Sequence, residues 1–164
     1  MNIVKHQLFE DSGGKILTVM VGGQQFGIQL LDTKEIIGVM EVEPIPHTPS
    51  FMLGMINLRD KIIPVIDLRI KLGFTPQPPT KENCIVIIEI HGHLTGALVD
   101  SLVGVTTLKP EEFDDHPNLG NSIRADFIAG ISFKEQGMVF ILDMDKILLN
   151  EELELIQNAS ELVA

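Results

Sequence analysis

The side chains that could do chemistry in this chain are few and scattered. His91 and His93 occupy alternate positions across a turn and could share a face, but no nearby acidic or sulfur side chain completes a metal-ligand set. An exposed hairpin pair is the expectation there, with no metal. Ser12, Ser50, Ser101, Ser122, Ser132 and Ser160 are the candidate hydroxyl nucleophiles, and none stands in a Gly-x-Ser-x-Gly elbow or beside a base in sequence. A missing motif decides little alone, because triads assemble from distant segments. Asp67 and Asp143 invite reading as paired acid/base carboxylates, yet each follows an apolar strand, where capping of a helical turn accounts for it. Cys84 is the single cysteine and lies in the apolar run Cys84-Ile85-Val86-Ile87-Ile88, so it is expected to be a buried, inert thiol with no disulfide. The Gly22-Gly23 pair is followed by neither a helix nor a Gly-Lys-Ser element, so it cradles no phosphate. No catalytic residue, cofactor site or metal site is expected.

Arg59 is different. It stands at the tip of an apparent hairpin between strongly apolar strands, in a chain with few arginines. A guanidinium there presents a fork of donors to a carboxylate or a carbonyl. Glu35 follows an expected sharp bend at Asp32-Thr33 in the same half of the chain, and the two residues are both candidates for a functional role.

Composition narrows the partners. The formal net charge of -11 repels phosphate backbones and anionic lipid, which argues against nucleic acid and membrane surfaces. Eight Phe without Trp or Tyr leave aliphatic side chains and Met to make contacts. The N-terminal residues lack the apolar core of a signal peptide, and no stretch approaches the roughly 18 apolar residues of a membrane helix, so a cytoplasmic protein is expected.

The elements that must position Arg59 are strands. Residues 16–21, 36–40, 62–66, 85–90, 96–99 and 138–142 are short, apolar, rich in β-branched residues and bounded by Gly, Pro or Asp. Helical periodicity is clear at 151–163, where Leu153, Ile156, Leu162 and Val163 could line one face. The chain also repeats. The segment 54–67, Gly-Met-Ile-Asn-Leu-Arg-Asp-Lys-Ile-Ile-Pro-Val-Ile-Asp, matches 130–143 at a constant offset of 76, each a hairpin ending in a potential capping Asp. A second match pairs 16–27 with 85–96 at an offset of 69, and Gly38-Val39 with Pro44 matches Gly104-Val105 with Pro110 at 66. Three ordered matches point to a duplication. Between the halves, residues 74–83 form a Pro-rich connector, which gives a first half at 15–73 and a second at 84–149, each the size of a small closed barrel.

The run Asn57-Leu58-Arg59-Asp60-Lys61-Ile62-Ile63-Pro64-Val65-Ile66-Asp67-Leu68-Arg69 closely resembles the signature of the CheW-type chemotaxis coupling proteins, and Phe26-Gly27-Ile28, Lys34-Glu35-Ile36 and Ile45-Pro46 through Phe51 follow the same pattern. The likeness extends from about Lys15 to Leu149. It implies an all-β fold of two interlocked five-stranded Src-homology-3-like barrels, here with a C-terminal helix, forming a single CheW-like domain over 1–164. It implies a scaffold without catalysis that joins the cytoplasmic tips of methyl-accepting chemoreceptors to the regulatory domain of the chemotaxis histidine kinase, recruited to membrane-associated receptor arrays. Thr33, Glu35, Gly54 and Arg59 fall on family positions associated with these contacts. Asp60 departs from the family's usual Gly; Asp tolerates the left-handed turn, but its carboxylate is expected partly to neutralise Arg59. Two other readings stand beside this one: a small hydrolase or metal-dependent enzyme, and a CheW-like adaptor of a non-flagellar pathway.

Overall fold

The computed structural model of the chain describes residues 3–115, 125–134 and 137–161. In chain order the strands are β1 (Lys15–Val21), β2 (Gln24–Gln29), β3 (Thr33–Gly38), β4 (Met52–Leu58), β5 (Lys61–Asp67), β6 (Cys84–Ile90), β7 (His93–Val99), β8 (Ser101–Thr107), β9 (Phe113–Asp114), β10 (Ile128–Lys134) and β11 (Gly137–Leu142). The helices are α1 (Ile3–His6), α2 (Leu68–Lys71), α3 (Met144–Ile147) and α4 (Asn150–Glu161).

Two sheets result. One runs β8-β1-β2-β11-β10-β9 and the other β3-β6-β7-β5-β4, and we call the barrels they form A and B. Each takes strands from both halves of the sequence, so the barrels interlock through the parallel pairs β2 with β11 and β5 with β7. The expectation of five strands per barrel holds for B. Barrel A has a sixth, β9, whose counterpart in B is the single bridge Glu43↔Met55.

The repeat is visible in the ladder. Gly54↔Val65 through Leu58↔Lys61 is matched, 76 positions on, by Gly130↔Ile141 through Lys134↔Gly137, with the same irregularity just before each glycine. Asp67 and Asp143 cap the turns that follow, their carboxylates accepting from the backbone N–H of Arg69 and Asp145 at 2.9 and 3.2 Å. The third match needs correction. Thr33↔Ile88 and Glu35↔Ile87 in B correspond to Val19↔Leu102 and Thr18↔Gly104 in A, so the offset is 69 and Gly104 is the counterpart of Glu35, not of Gly38. Gly104 sits at a bulge with φ +152°, which explains a glycine there independently of Gly38.

Strict alternation divides the core into three. On β6, Ile85 and Ile87 face into barrel B while Val86, Ile88 and Ile90 face the layer between the barrels; on β11, Val139 and Ile141 face into barrel A while Phe140 and Leu142 join that layer. These strands are therefore buried on both faces, which is why they read as continuous apolar runs. Barrel A is plugged at one end by Val4 and Leu8, from α1 and the π-helical turn Gln7–Asp11 after it. That segment is marked by two short apolar pairs, Ile3-Val4 and Leu8-Phe9, of which Ile3 stays exposed and Phe9 packs against the same cluster. In α4, Leu153 and Ile156 are buried, and burial of two such side chains at about 1.5–3 kcal/mol each offsets the marginal stability of a short helix. Leu162 and Val163 lie outside the described residues.

Polar contacts tie the elements together. Arg69, buried, donates from Nε and Nη2 to Asp67 at 3.0 Å each and from Nη1 to Asp100 and to Gln77 O, both at 3.3 Å. Asp100 also accepts from Gly22 N at 2.7 Å, and its carbonyl from Asn83 Nδ2 at 3.0 Å. The Asp-Leu-Arg end of the signature thus anchors the connector and two turns. His91 Nε2 donates to Asp145 O at 2.8 Å and Leu148 O at 3.1 Å, which joins the β6–β7 turn to α3 and spends the imidazole on structure.

Candidate partner-binding site

The turn joining β4 to β5 places Arg59 at φ 49° and Asp60 at φ 67°, the two left-handed residues of a tight hairpin turn. Asn57 Oδ1 accepts from Asp60 N at 3.1 Å and holds the turn closed. Across the barrel, the 3-10 turn Leu30–Asp32 makes the expected bend and delivers Thr33, whose Oγ1 donates to Gln29 O at 3.3 Å. Glu35 follows at a break in the β3–β6 register.

Strands β3 and β4 are the two edges of the five-stranded sheet, and Glu35 and Arg59 meet where that sheet curls to close. Arg59 Nη1 donates to Glu35 Oε1 at 2.9 Å, and Nη2 donates to Oε2, a two-pronged pair across the seam. The hydrogen bond from Arg59 holds the Glu35 carboxyl below the usual carboxylate range, and the same bond pushes the guanidinium up. The arginine side chain remains 69% exposed, so a partner can reach it. Beneath the pair lies a groove of 330 Å³ whose floor is Leu58, Ile63, Ile87 and Leu94. Lys34, on its rim, pairs with Glu89 at 3.1 Å.

The structure therefore brings two of the four sequence candidates together and separates the others. Thr33 lies two residues before Glu35 on the same edge strand and does not line the groove. Gly54 is not at the seam. It has φ +147°, and a Cβ there would come within 2.1 Å of Glu43 O, so the glycine lets the Glu43–Met55 bridge form with both bonds at 2.8 Å. The expected neutralisation of Arg59 falls to Glu35, which takes both prongs of the guanidinium. The lining residues Ile63, Ile87 and Leu94 were not identified from sequence, although alternation from the hairpin register would put them on one face with the groove.

Residues 15–152 match the family model described as the CheW-like domain. The chain belongs to the CheW-like domain family. Among relatives, it is 28% identical to the chemotaxis protein CheW of Rhizobium meliloti (strain 1021), over 93% of this chain and 97% of that one. It is 29% identical to the chemotaxis protein CheW of Bacillus subtilis (strain 168), over 85% and 90%. The crystal structure of the scaffolding protein TtCheW from Thermoanaerobacter tengcongensis superposes with a TM-score of 0.78 at 29% identity, covering 85% of this chain and 94% of that one. In this chain the site is an exposed ion pair over an aliphatic groove, at the seam of a barrel. Among the described residues no helix is long and apolar enough to cross a membrane.

Proposed function

We propose that this chain is a chemotaxis adaptor without catalytic activity, which couples the cytoplasmic tips of methyl-accepting chemoreceptors to the regulatory domain of the chemotaxis histidine kinase. It works at the cytoplasmic side of membrane-associated receptor arrays. Family membership supports the adaptor role, and the observation that carries the site is the exposed Arg59–Glu35 pair across the seam of barrel B. Such a pair is already oriented, so a partner carboxylate or helix-end carbonyl meets a guanidinium whose rotamer is fixed before contact, with less entropy to lose. The aliphatic floor below it supplies apolar contact for the partner's neighbouring side chains. Thr33 lies along the same edge and extends the contact. Gly54 acts on it from a distance, by keeping the backbone of β4 in place. The carboxylates that suggested an enzyme support the same reading, since Asp67 is held in an ion pair with Arg69 and Asp143 caps α3.

The test is titration of the Arg59→Ala, Arg59→Lys and Asp60→Gly proteins against a receptor-tip fragment and, separately, the kinase regulatory domain. Arg59→Ala should cost roughly 2 kcal/mol of binding if the contact is desolvated, and Arg59→Lys should not restore it, because an ammonium cannot hold Glu35 with two parallel donors and still present further N–H groups to the partner. Unchanged affinity for both partners in Arg59→Ala would overturn the site.

A further inference from the structure

The seam of barrel A, the counterpart of the Arg59–Glu35 seam, is built differently. The register places Thr18 where barrel B has Ile87, Ser132 where it has Ile56, and Gly104 where it has Glu35. Two large aliphatic side chains are thereby replaced by two small hydroxylated ones, and the residue that latches the seam is replaced by one with no side chain. The counterpart of barrel B's 330 Å³ groove is thus a smaller cavity of 230 Å³ with no charged rim, and it reaches the buried Ser132, whereas Ile56 does not line the groove of B. At its mouth a Cβ built on Gly104 would meet nothing within 4 Å. Val103 and Val105 flank the opening and are more than half exposed, at 53% and 56%. Inside, Ser132 is fully buried, and its Oγ has no hydrogen-bond partner.

A buried hydroxyl without a partner is costly to leave unmade, and native proteins rarely leave one so. We propose that this cavity binds a small neutral organic molecule, one with a compact apolar body and a single hydroxyl or carbonyl oxygen that pairs with Ser132 Oγ. Size permits it, since a dry cavity of about 150 Å³ accepts benzene. Charge defines the class further: no residue lining the cavity is ionisable, so a charged ligand would be buried without a counter-ion. Thr18 and Ser132 are buried in the barrel, Gln25 and Thr106 also line the cavity, and Val103, Val105 and Val139 supply apolar walls, so neutral polar groups set among apolar ones can fix a ligand's orientation.

The experiment is an amide and methyl NMR titration of the full chain with cyclohexanol, with cyclohexylammonium as the charged control. Cyclohexanol should produce saturable shifts at Val103, Gly104, Val105, Ser132 and Val139, with no comparable shifts at Ile56, Ile63 and Ile87 of barrel B, and cyclohexylammonium should bind at least tenfold more weakly. Ser132→Ile, which places barrel B's side chain type in barrel A, should abolish the shifts, and Ser132→Ala should weaken binding while leaving the cavity open. Absence of saturable shifts with the unaltered protein would overturn the proposal and leave the cavity to water or to a partner's side chain. Equal shifts at both seams, or equal affinity for the charged control, would overturn it as non-specific adsorption.

Discussion

Barrels A and B share the register of their repeated hairpins, yet their seams have opposite chemistry. In B, Ile56 and Ile87 are buried inside and the edges are joined by the Glu35–Arg59 pair. In A, Ser132 and Thr18 take the interior positions, Gly104 faces the edge, and the cavity there is lined by no charged side chain. Position 135, the counterpart of Arg59, is a Glu outside the described residues. A duplicated backbone thus fixes where a seam lies without fixing what it does, and the side chains at a few equivalent positions set its use. In B the polarity is outside, on the lip, where another protein reaches it. In A it is inside, where only a small molecule or water does.

The comparison breaks most sharply at the interior positions. Ile56→Ser gives barrel B the side chain of barrel A, and should cost about 4 kcal/mol in chemical denaturation, through lost apolar burial, a cavity and an unpaired hydroxyl. The reverse change, Ser132→Ile, fills an existing void and removes an orphaned hydroxyl, so it should stabilise by about 1 kcal/mol. Effects of opposite sign at equivalent positions would support the account, whereas destabilisation by both would mean that barrel A is already full.

Gly54 and its counterpart Gly130 come next. A Cβ at Gly54 strikes Glu43 O at 2.1 Å in a conformation with φ +147°, while at Gly130 it meets Phe113 Cζ at 2.4 Å and Asp114 O at 2.7 Å without that backbone strain. Gly54→Ala should therefore cost about 2–3 kcal/mol and Gly130→Ala less, measured by thermal and denaturant unfolding. Any loss of partner binding in a Gly54 variant should then track its loss of stability.

A smaller effect comes from Asp32, just before the latch strand. Burial, then the nearby Asp145, push its carboxyl up to about 6, against the opposing pull of Lys34; Asp143 and Glu89 add to the rise. A carboxyl raised in the folded state binds more protons folded than unfolded, so its contribution is fully present below the unfolded value near 4 and is lost as pH rises through about 6. Because the group is partly solvated, the effect is about 1 kcal/mol and not the full linkage value. Asp32→Asn should remove that slope between pH 4 and 6 in a pH series of unfolding curves, and a slope that persists would place its origin elsewhere. Smallest is the stability effect of Arg59→Ala, no more than about 0.5 kcal/mol, because the pair is exposed and screened.

Much of this architecture is legible in the sequence. The 76-residue repeat gives both hairpins, and the Asp that ends each one is the cap the structure contains. The third strand is misaligned because Gly104 matches Gly38 as a letter, while the bulge it serves matches Glu35. The N-terminal plug is hidden because its apolar residues, Ile3-Val4 and Leu8-Phe9, span barely two turns, too short a run to show a period. Arg59 is conspicuous at a hairpin tip. Its pairing with Glu35 is not, since the partners are 24 positions apart and meet only when the sheet curls. The hydroxyl-lined cavity of barrel A is available from the offsets, which set Thr18 against Ile87 and Ser132 against Ile56, but its meaning needs the two residues to face one space.

The central claim is that the Glu35–Arg59 pair is read by a partner and is not merely a latch on barrel B. The most direct test exchanges the charges, Glu35→Arg with Arg59→Glu in one protein, and measures binding to the receptor-tip fragment and to the kinase regulatory domain by calorimetry, alongside unfolding. A latch does not depend on which side carries which charge, whereas recognition does. The account predicts that the exchanged protein melts within a few degrees of the parent but loses at least tenfold in affinity for one of the two partners. Parental affinity for both would contradict it.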